Sequence, residues 1–186
     1  PPGQALELLW LYPPPMLGFM LPLGLLEVSS AYLVWGVILL GAIGVAAWKL
    51  GARGLLLFAL VVNPTTMLVL AYGQTDAFFV MFFALGMHAL PERPRSAGLW
   101  FSLLLLKPQL AMVALLFLAL GRHFRVLLWV GIFWLLIVGL SVAALGTDPW
   151  IGFFYQADEF VVRVREGFLP WWGLISFYAF YRSMGM

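Results

Sequence analysis

The chain has 186 residues, of which 64% are hydrophobic and only 10% are charged. A typical soluble domain has roughly 25% charged residues, so the composition excludes an ordinary soluble enzyme, and the mean hydropathy of +1.02 indicates an integral membrane protein. The ten Lys and Arg residues, balanced by eight Asp and Glu, are too few for the basic surface of a nucleic-acid-binding protein. With no Cys and only two His, the sequence predicts neither disulfides nor a metal site.

Long apolar stretches predict an all-α fold, a polytopic bundle of transmembrane helices. A spanning helix needs about 20 mostly apolar residues, and residues 30–48 and 126–145 satisfy this without a break. We expect short, broken helices in three further stretches. These are 54–72, which contains Asn63-Pro64; 76–90; and 97–120, which contains Lys107-Pro108-Gln109.

Two other segments are expected to lie at the surface of the bilayer rather than across it. Residues 11–25 are apolar but include four prolines. Residues 150–167 mix aromatic side chains with paired charges, and Trp171-Trp172 follow them. Aromatic residues of this kind concentrate at the level of the lipid headgroups. Residues 173–181 are expected to begin another helix.

The chain is expected to form one membrane-embedded region over residues 1–186, and to be part of a longer polytopic protein. It starts on Pro1 rather than on Met, and it stops directly behind an aromatic run. The sequence shows neither an internal repeat nor a soluble domain.

Loop charges predict the orientation of the spans, because Lys and Arg near span ends stay in the cytoplasm. Residues 1–29 and 146–172 are assigned to the outside. Because both loops that flank 97–120 are basic, this segment is expected to enter and return as a hairpin, with Lys107-Pro108-Gln109 at its outer turn. A single kinked span is the alternative. The loops assigned to the inside carry Lys49 and Arg53, Arg93 and Arg95, and Arg122 and Arg125.

Lys107 is the ionisable side chain that most needs an explanation, since a lysine at the centre of a spanning helix costs roughly 2.5–3.5 kcal/mol. In one interpretation it reaches an interface or pairs with Asp76. In the other it holds a phosphate within the bundle, helped by free N–H groups where the helix restarts after Pro108. Gln74 and Gln109 are predicted on the same side. A carboxylate, two amides and an ammonium would then face one cavity suited to a phosphate-bearing ligand.

Other polar residues receive structural interpretations. Asn63 is expected to satisfy the backbone groups freed by the proline that follows it. His88 and His123 are placed at cytoplasmic helix ends without a chemical role. Arg163 and Arg165 either contact lipid phosphates or balance the acidic residues beside them.

Three short motifs, in this order and spacing, resemble the polytopic GT-C glycosyltransferases, and most of all glycosyltransferase family 87. This family is akin to the polyprenyl-phosphate-mannose-dependent mannosyltransferases. The motifs are Tyr12-Pro13-Pro14, then Asn63-Pro64 leading to Gly73-Gln74-x-Asp76, then Ala97-Gly98 leading to Lys107-Pro108-Gln109. The likeness continues through Gly146, Trp150, Phe153 or Phe154, Phe160, Glu166-Gly167, Trp172 and Ser176.

The resemblance implies a GT-C-like bundle that uses a polyprenyl-phosphate-linked sugar, mannose-like, as donor substrate, without a cofactor. It implies a site on the periplasmic face of a bacterial inner membrane, with membrane lipids as further partners. Lys107 would bind the carrier phosphate, and Gln74, Asp76 and Gln109 would line the sugar and phosphate pocket. Tyr12 would shape its outer rim.

The same resemblance places the main catalytic Asp of the family before the Tyr-Pro-Pro motif, upstream of Pro1. Asp76 is the one carboxylate of this sequence offered as catalytic in its place. Two alternatives to an enzyme stay open. One is a non-catalytic GT-C-derived subunit of a larger membrane complex, and the other is a secondary transporter, which would need an inverted repeat.

Overall fold

The computed structural model describes residues 11–165 and Met184. Every regular element in those residues is helical, which confirms the predicted all-α fold. The predictions made for Glu166-Gly167, Trp171-Trp172 and residues 173–181 lie outside the described residues. The helices are α1 (Pro15–Met20), α2 (Val28–Lys49), α3 (Gly54–Val62), α4 (Pro64–Ala71), α5 (Asp76–Ala89), α6 (Pro94–Leu103), α7 (Pro108–Leu120), α8 (Phe124–Leu145) and α9 (Asp148–Arg165), with short 3-10 segments at Leu21–Leu25 and Leu104–Leu106.

Two of the described helices are long and apolar enough to cross a membrane, as predicted. Helices α2 and α8 have 22 residues each, which gives about 33 Å at 1.5 Å per residue and matches the hydrocarbon core of a bilayer. Helices α3 and α4 meet the same criteria as one span bent by 47°. Helices α5 and α7 are shorter and also apolar.

The bend between α3 and α4 is stabilised by Asn63, which confirms its structural interpretation. Pro64 has no backbone N–H and so cannot continue the hydrogen-bond ladder of α3. The Thr66 backbone N–H donates to Asn63 Oδ1 at 3.1 Å, and Asn63 Nδ2 donates to the Leu60 carbonyl at 2.6 Å. These bonds cap the start of α4, so polar groups freed by the break are satisfied within the chain.

Residues Pro15–Ala144 form one compact unit, in which α2 and α5 run parallel. Near the start of α5, the Phe78 ring lies 5.2 Å from the ring of Trp35, measured between centroids. At the end of α5, His88 lines a cavity together with Lys49, the last residue of α2. Buried apolar side chains of α2 fill the space between these two points.

Helix α6 runs antiparallel to α5. The Phe83 and Phe101 rings lie 6.0 Å apart, edge to face, and Gly86 leaves just enough room for the Phe101 ring. Lys107 directly follows the 3-10 segment that extends α6, and its side chain reaches Asp76 at the start of α5. We call this end of the unit the Asp76 end.

The chain reverses direction between α6 and α7, as the predicted hairpin requires. Gly98 of α6 packs against Trp129 in the second turn of α8, and α8 starts four residues after Leu120, the end of α7. A straight path from Gly98 through Lys107 to Leu120 would cover about 35 Å. From Leu120 the chain reaches about 21 Å at most to Trp129, so a single span with a small kink cannot make this contact.

The three basic loops therefore lie at one end of this unit, opposite to Asp76. The Arg95 guanidinium lies 5.0 Å from the centroid of the Trp129 ring, which joins the start of α6 to the start of α8. Lys49 and Arg93 line one cavity. The common placement of the loops is thus confirmed, while the side of the membrane that they face stays a prediction. We call this end the basic end, and its cations are Lys49, Arg53, Arg93, Arg95, Arg122 and Arg125.

Helix α9 belongs to a second unit, together with residues 11–14. Aromatic rings meet near its start, where the Phe153 and Phe154 centroids are 5.3 Å apart. Near its end, Arg163 Nη2 lies 3.0 Å from Glu159 Oε1, so the charge-balancing interpretation of Arg163 is the one that the structure shows. A helix with this mixture of rings and charges suits the membrane–water interface, and its placement there stays a prediction.

Candidate functional site

An ion pair that is still accessible from the surface lies at the Asp76 end. Lys107 Nζ is 2.5 Å from Asp76 Oδ1, and the two side chains are 18% and 41% exposed. Asp76 is the first residue of α5, where the helix dipole favours a carboxylate. The structure therefore shows the pairing that was one of the two interpretations of Lys107, and it leaves both charges within reach of a ligand.

Lys107 is positioned by a break in the backbone. Its φ of −135° and ψ of 81° fit neither of the helices beside it, as expected for a residue before proline. Its N–H donates to the Leu104 carbonyl at 2.9 Å, and its carbonyl accepts from the Leu110 N–H at 2.9 Å. The backbone is thus fixed on both sides of the residue that carries the ammonium.

The turn before Asp76 is attached to α2 by two side chains. The Tyr32 hydroxyl donates to the Leu70 carbonyl at 2.9 Å, and Trp35 Nε1 donates to the Gly73 carbonyl at 2.9 Å. The Leu70 carbonyl also accepts from the Gly73 N–H at 3.2 Å, so the turn is held both by its own backbone and by α2. Gly73 has a φ of 61°, a conformation that glycine adopts most readily. The position of Asp76 therefore depends on α2 as well as on its own helix.

An apolar cavity of about 170 Å³ opens beside the ion pair. Lys107 Nζ lies 5.8 Å from the centroid of the Phe79 ring, and that ring lines the cavity. Leu106, the residue before Lys107, lines it as well. A charged group and an apolar group of one ligand would thus find their partners side by side. The full lining is Met16, Phe19, Trp35, Ile38, Phe78, Phe79, Phe82 and Leu106.

The structure brings four of the five predicted site residues to one end of the unit. Gln74 lies two residues before Asp76, and Gln109 lies two residues after Lys107, and both amide side chains are exposed. Neither amide makes a hydrogen bond to another residue that the structure describes. Tyr12 belongs to the unit that contains α9, so its assignment to the pocket rim stays a prediction.

Sequence reasoning missed the aromatic side chains around the ion pair. Phe78, Phe79 and Phe82 follow Asp76 closely, and the spacing of Phe78 and Phe82 places both on one helix face. That spacing is a signal present in the sequence. The contact of Trp35 with Phe78 depends on how α2 packs on α5, which no local pattern reveals.

The pair and the cavity together can bind an amphiphilic anion. A lysine ammonium has three hydrogens to donate, so Lys107 can bind phosphate oxygens while it contacts Asp76. The Asp76 carboxylate can orient the ammonium or accept a proton from a hydroxyl. Within residues 11–165, no three His, Asp or Glu side chains gather at a point where they would hold a metal ion.

The comparisons with known proteins agree with the motifs. The family model for glycosyltransferase family 87 matches residues 10–185, which include every motif discussed above. No curated protein and no solved structure matches the chain. The chain therefore belongs to glycosyltransferase family 87, a family of membrane glycosyltransferases.

Proposed function

We propose that the protein transfers a sugar, mannose-like, from a polyprenyl-phosphate donor to an acceptor at the extracytoplasmic face of a bacterial inner membrane. The observation that supports this donor is the Lys107 ammonium beside an apolar, aromatic cavity. A polyprenyl-phosphate sugar joins a charged phosphate to a long hydrocarbon chain. Its phosphate would bind Lys107, and the first part of its chain would occupy the cavity.

Donor binding is proposed to change the partner of Lys107. In the structure the ammonium is paired with Asp76. Phosphate oxygens would take over its hydrogens, because charge-assisted bonds to phosphate are strong and an ammonium is a good phosphate ligand. The exposed amides of Gln74 and Gln109 are proposed to bind the sugar hydroxyls. The Asp76 carboxylate then becomes available for chemistry.

The proposed reaction exchanges one bond of the sugar for another. The bond between the anomeric carbon and the phosphate oxygen breaks, and its electron pair stays on that oxygen as the polyprenyl phosphate leaves. Lys107 stabilises this developing charge. The acceptor hydroxyl oxygen bonds to the anomeric carbon, and its proton passes to Asp76 as the general base.

Transfer from a polyprenyl-phosphate donor is the direct test. We expect the protein, reconstituted in liposomes, to release polyprenyl phosphate from labelled polyprenyl-phosphate mannose and not to use a nucleotide sugar. Asp76→Asn should lower the transfer rate by about 10²- to 10⁴-fold, the usual contribution of a general base, with the affinity for polyprenyl phosphate kept or raised. Transfer at the native rate in Asp76→Asn would remove Asp76 from the reaction.

The proposed side of the site is tested by labelling a single cysteine. The native chain has no Cys, and Gln109 is exposed at the turn between α6 and α7. In right-side-out vesicles, a membrane-impermeant maleimide should label Gln109→Cys and leave Ser96→Cys at the basic end unlabelled. Inverted vesicles should give the opposite result. Labelling of Gln109→Cys in inverted vesicles alone would place the site in the cytoplasm.

A further inference from the structure

A second cavity, of about 370 Å³, opens at the basic end. Its polar lining comes from the end of α2, from the end of α5, from the loop that joins α5 to α6, and from α6. It is separate from the site at Asp76, because Asp76 and His88 stand about 18 Å apart along α5. The lining residues that carry the argument are Lys49, His88, Glu92, Arg93, Ser96 and Trp100.

The polar side chains of this cavity make no ion pair and no side-chain hydrogen bond within the described residues. Lys49 and Arg93 make no ion pair there, although Glu92 lies in the same lining. The Lys49 ammonium lies 4.5 Å from the centroid of the Trp48 ring rather than beside a carboxylate. The Ser96 hydroxyl makes no hydrogen bond to another described residue. Hydrogen-bond donors of Lys49, Arg93 and Ser96 thus line one space, and none of them is paired with a carboxylate of residues 11–165.

The charge balance of the cavity favours an anion. Lys49 and Arg93 contribute two positive charges and Glu92 contributes one negative charge, so these three residues leave the lining with an excess of positive charge. Arg53, which precedes α3, donates to the carbonyls of Trp48 and Ala52, so a further cation is held close to the end of α2. Lys and Arg side chains near a membrane surface attract anionic lipids.

The rest of the lining suits the part of a lipid next to its phosphate. Leu85, Ala89 and Pro91 supply apolar surface. The Trp100 ring stacks on Phe82 at 6.2 Å between centroids, which fixes its place at the cavity wall. Trp side chains with one polar edge concentrate at the depth of the headgroups. A soluble anion would use the cations and leave these apolar walls without a partner.

We propose that this cavity binds the phosphate group of an anionic phospholipid through Lys49 and Arg93, with Ser96 as a further donor. The shared chemistry is that of a phosphodiester, and the lipid is favoured as its source by the apolar walls and the neighbouring Trp residues. The site lies at the opposite end of α5 from Lys107, so its existence does not depend on the proposed glycosyl transfer.

Native mass spectrometry of the detergent-purified protein, titrated with dioleoylphosphatidylglycerol or dioleoylphosphatidylcholine, tests the proposal. The native protein should retain one phosphatidylglycerol with at least tenfold preference over phosphatidylcholine. Lys49→Gln/Arg93→Gln should lose that preference. The matched control, Arg122→Gln/Arg125→Gln, removes the same charge from the same end outside the cavity and should keep it. Glu92→Gln removes the negative charge from the lining and should bind phosphatidylglycerol more tightly than the native protein.

Two further variants and one competitor separate the outcomes. Lys49→Arg/Arg93→Lys conserves charge and should retain the lipid, so that a loss in Lys49→Gln/Arg93→Gln follows the charge rather than the replacement of these two side chains. An equal loss of the preference for phosphatidylglycerol in Lys49→Gln/Arg93→Gln and in Arg122→Gln/Arg125→Gln would overturn the proposal, because diffuse surface charge would then explain the binding. Displacement of the lipid by millimolar inorganic phosphate or glycerol phosphate would keep the phosphate site and reject the lipid as its source.

Discussion

Lys107→Met is expected to weaken the binding of polyprenyl phosphate by about 10- to 100-fold, measured as the dissociation constant in nanodiscs. A hydrogen bond to a charged group contributes about 1.5–3 kcal/mol, and each 1.4 kcal/mol is tenfold in affinity. Lys107 is the cation beside the apolar cavity. The thioether of Met fills similar space, so the loss should come from the charge. Binding of the native strength in Lys107→Met would refute the phosphate-binding role.

Two companion variants separate phosphate binding from the ion pair. Lys107→Met alone leaves the Asp76 carboxylate without its partner, although its 41% exposure lets water solvate it. Lys107→Met/Asp76→Asn removes both charges. This variant should have the same midpoint of thermal unfolding as the native protein, yet still fail to bind polyprenyl phosphate. Asp76→Asn alone keeps the ammonium and should bind at least as tightly as the native protein. An excess of phosphatidylglycerol in all nanodiscs occupies the remaining basic surface.

The positions of the long helices follow from local pattern. The predicted spans 30–48 and 126–145 correspond to Val28–Lys49 and Phe124–Leu145, since length and apolar composition alone decide whether a helix can cross a bilayer. The hairpin at 97–120 could also be predicted from the sequence, because basic loops on both sides of it require the chain to return to the same side of the membrane. Neither argument depends on which side chains meet.

The ends of helices and the short 3-10 segments could be predicted less well from the sequence. Helix α6 starts at Pro94 rather than at residue 97, because proline suits the first turn of a helix and extends it into the loop. The 3-10 segment Leu104–Leu106 tightens the end of α6 before Lys107. Its three leucines have no feature that distinguishes a 3-10 turn from an α-helical one.

The ion pair shows where sequence reasoning stops. Lys107 and Asp76 were placed at one end of the bundle, yet pairing and phosphate binding both fitted that placement. Their contact depends on the fit between α5 and α6, where Gly86 lets the Phe101 ring approach closely. The lining of the basic cavity depends on the same packing. His88 had only a structural interpretation from the sequence because its neighbours come from other helices.

Gly98 offers a matched comparison for the contact between α6 and α8. A Cβ atom at Gly131 of α8 would meet nothing within 4 Å. Gly131→Ala is therefore expected to leave the midpoint of thermal unfolding unchanged or to raise it slightly, since alanine favours the helix by roughly 0.5–1 kcal/mol over glycine. This variant controls for the general effect of replacing a helical glycine in this chain.

Gly98→Ala is expected to destabilise the protein by about 1–3 kcal/mol, the usual cost of overpacking, and to lower polyprenyl-phosphate binding with it. A Cβ atom at Gly98 would overlap the Trp129 side chain and lie 3.0 Å from the Trp129 backbone carbonyl carbon. Backbone cannot move aside as a flexible side chain does, so α6 must shift and carry Lys107 with it. Unfolding followed by intrinsic fluorescence measures the effect, and a midpoint equal to that of Gly131→Ala would contradict the α6–α8 contact.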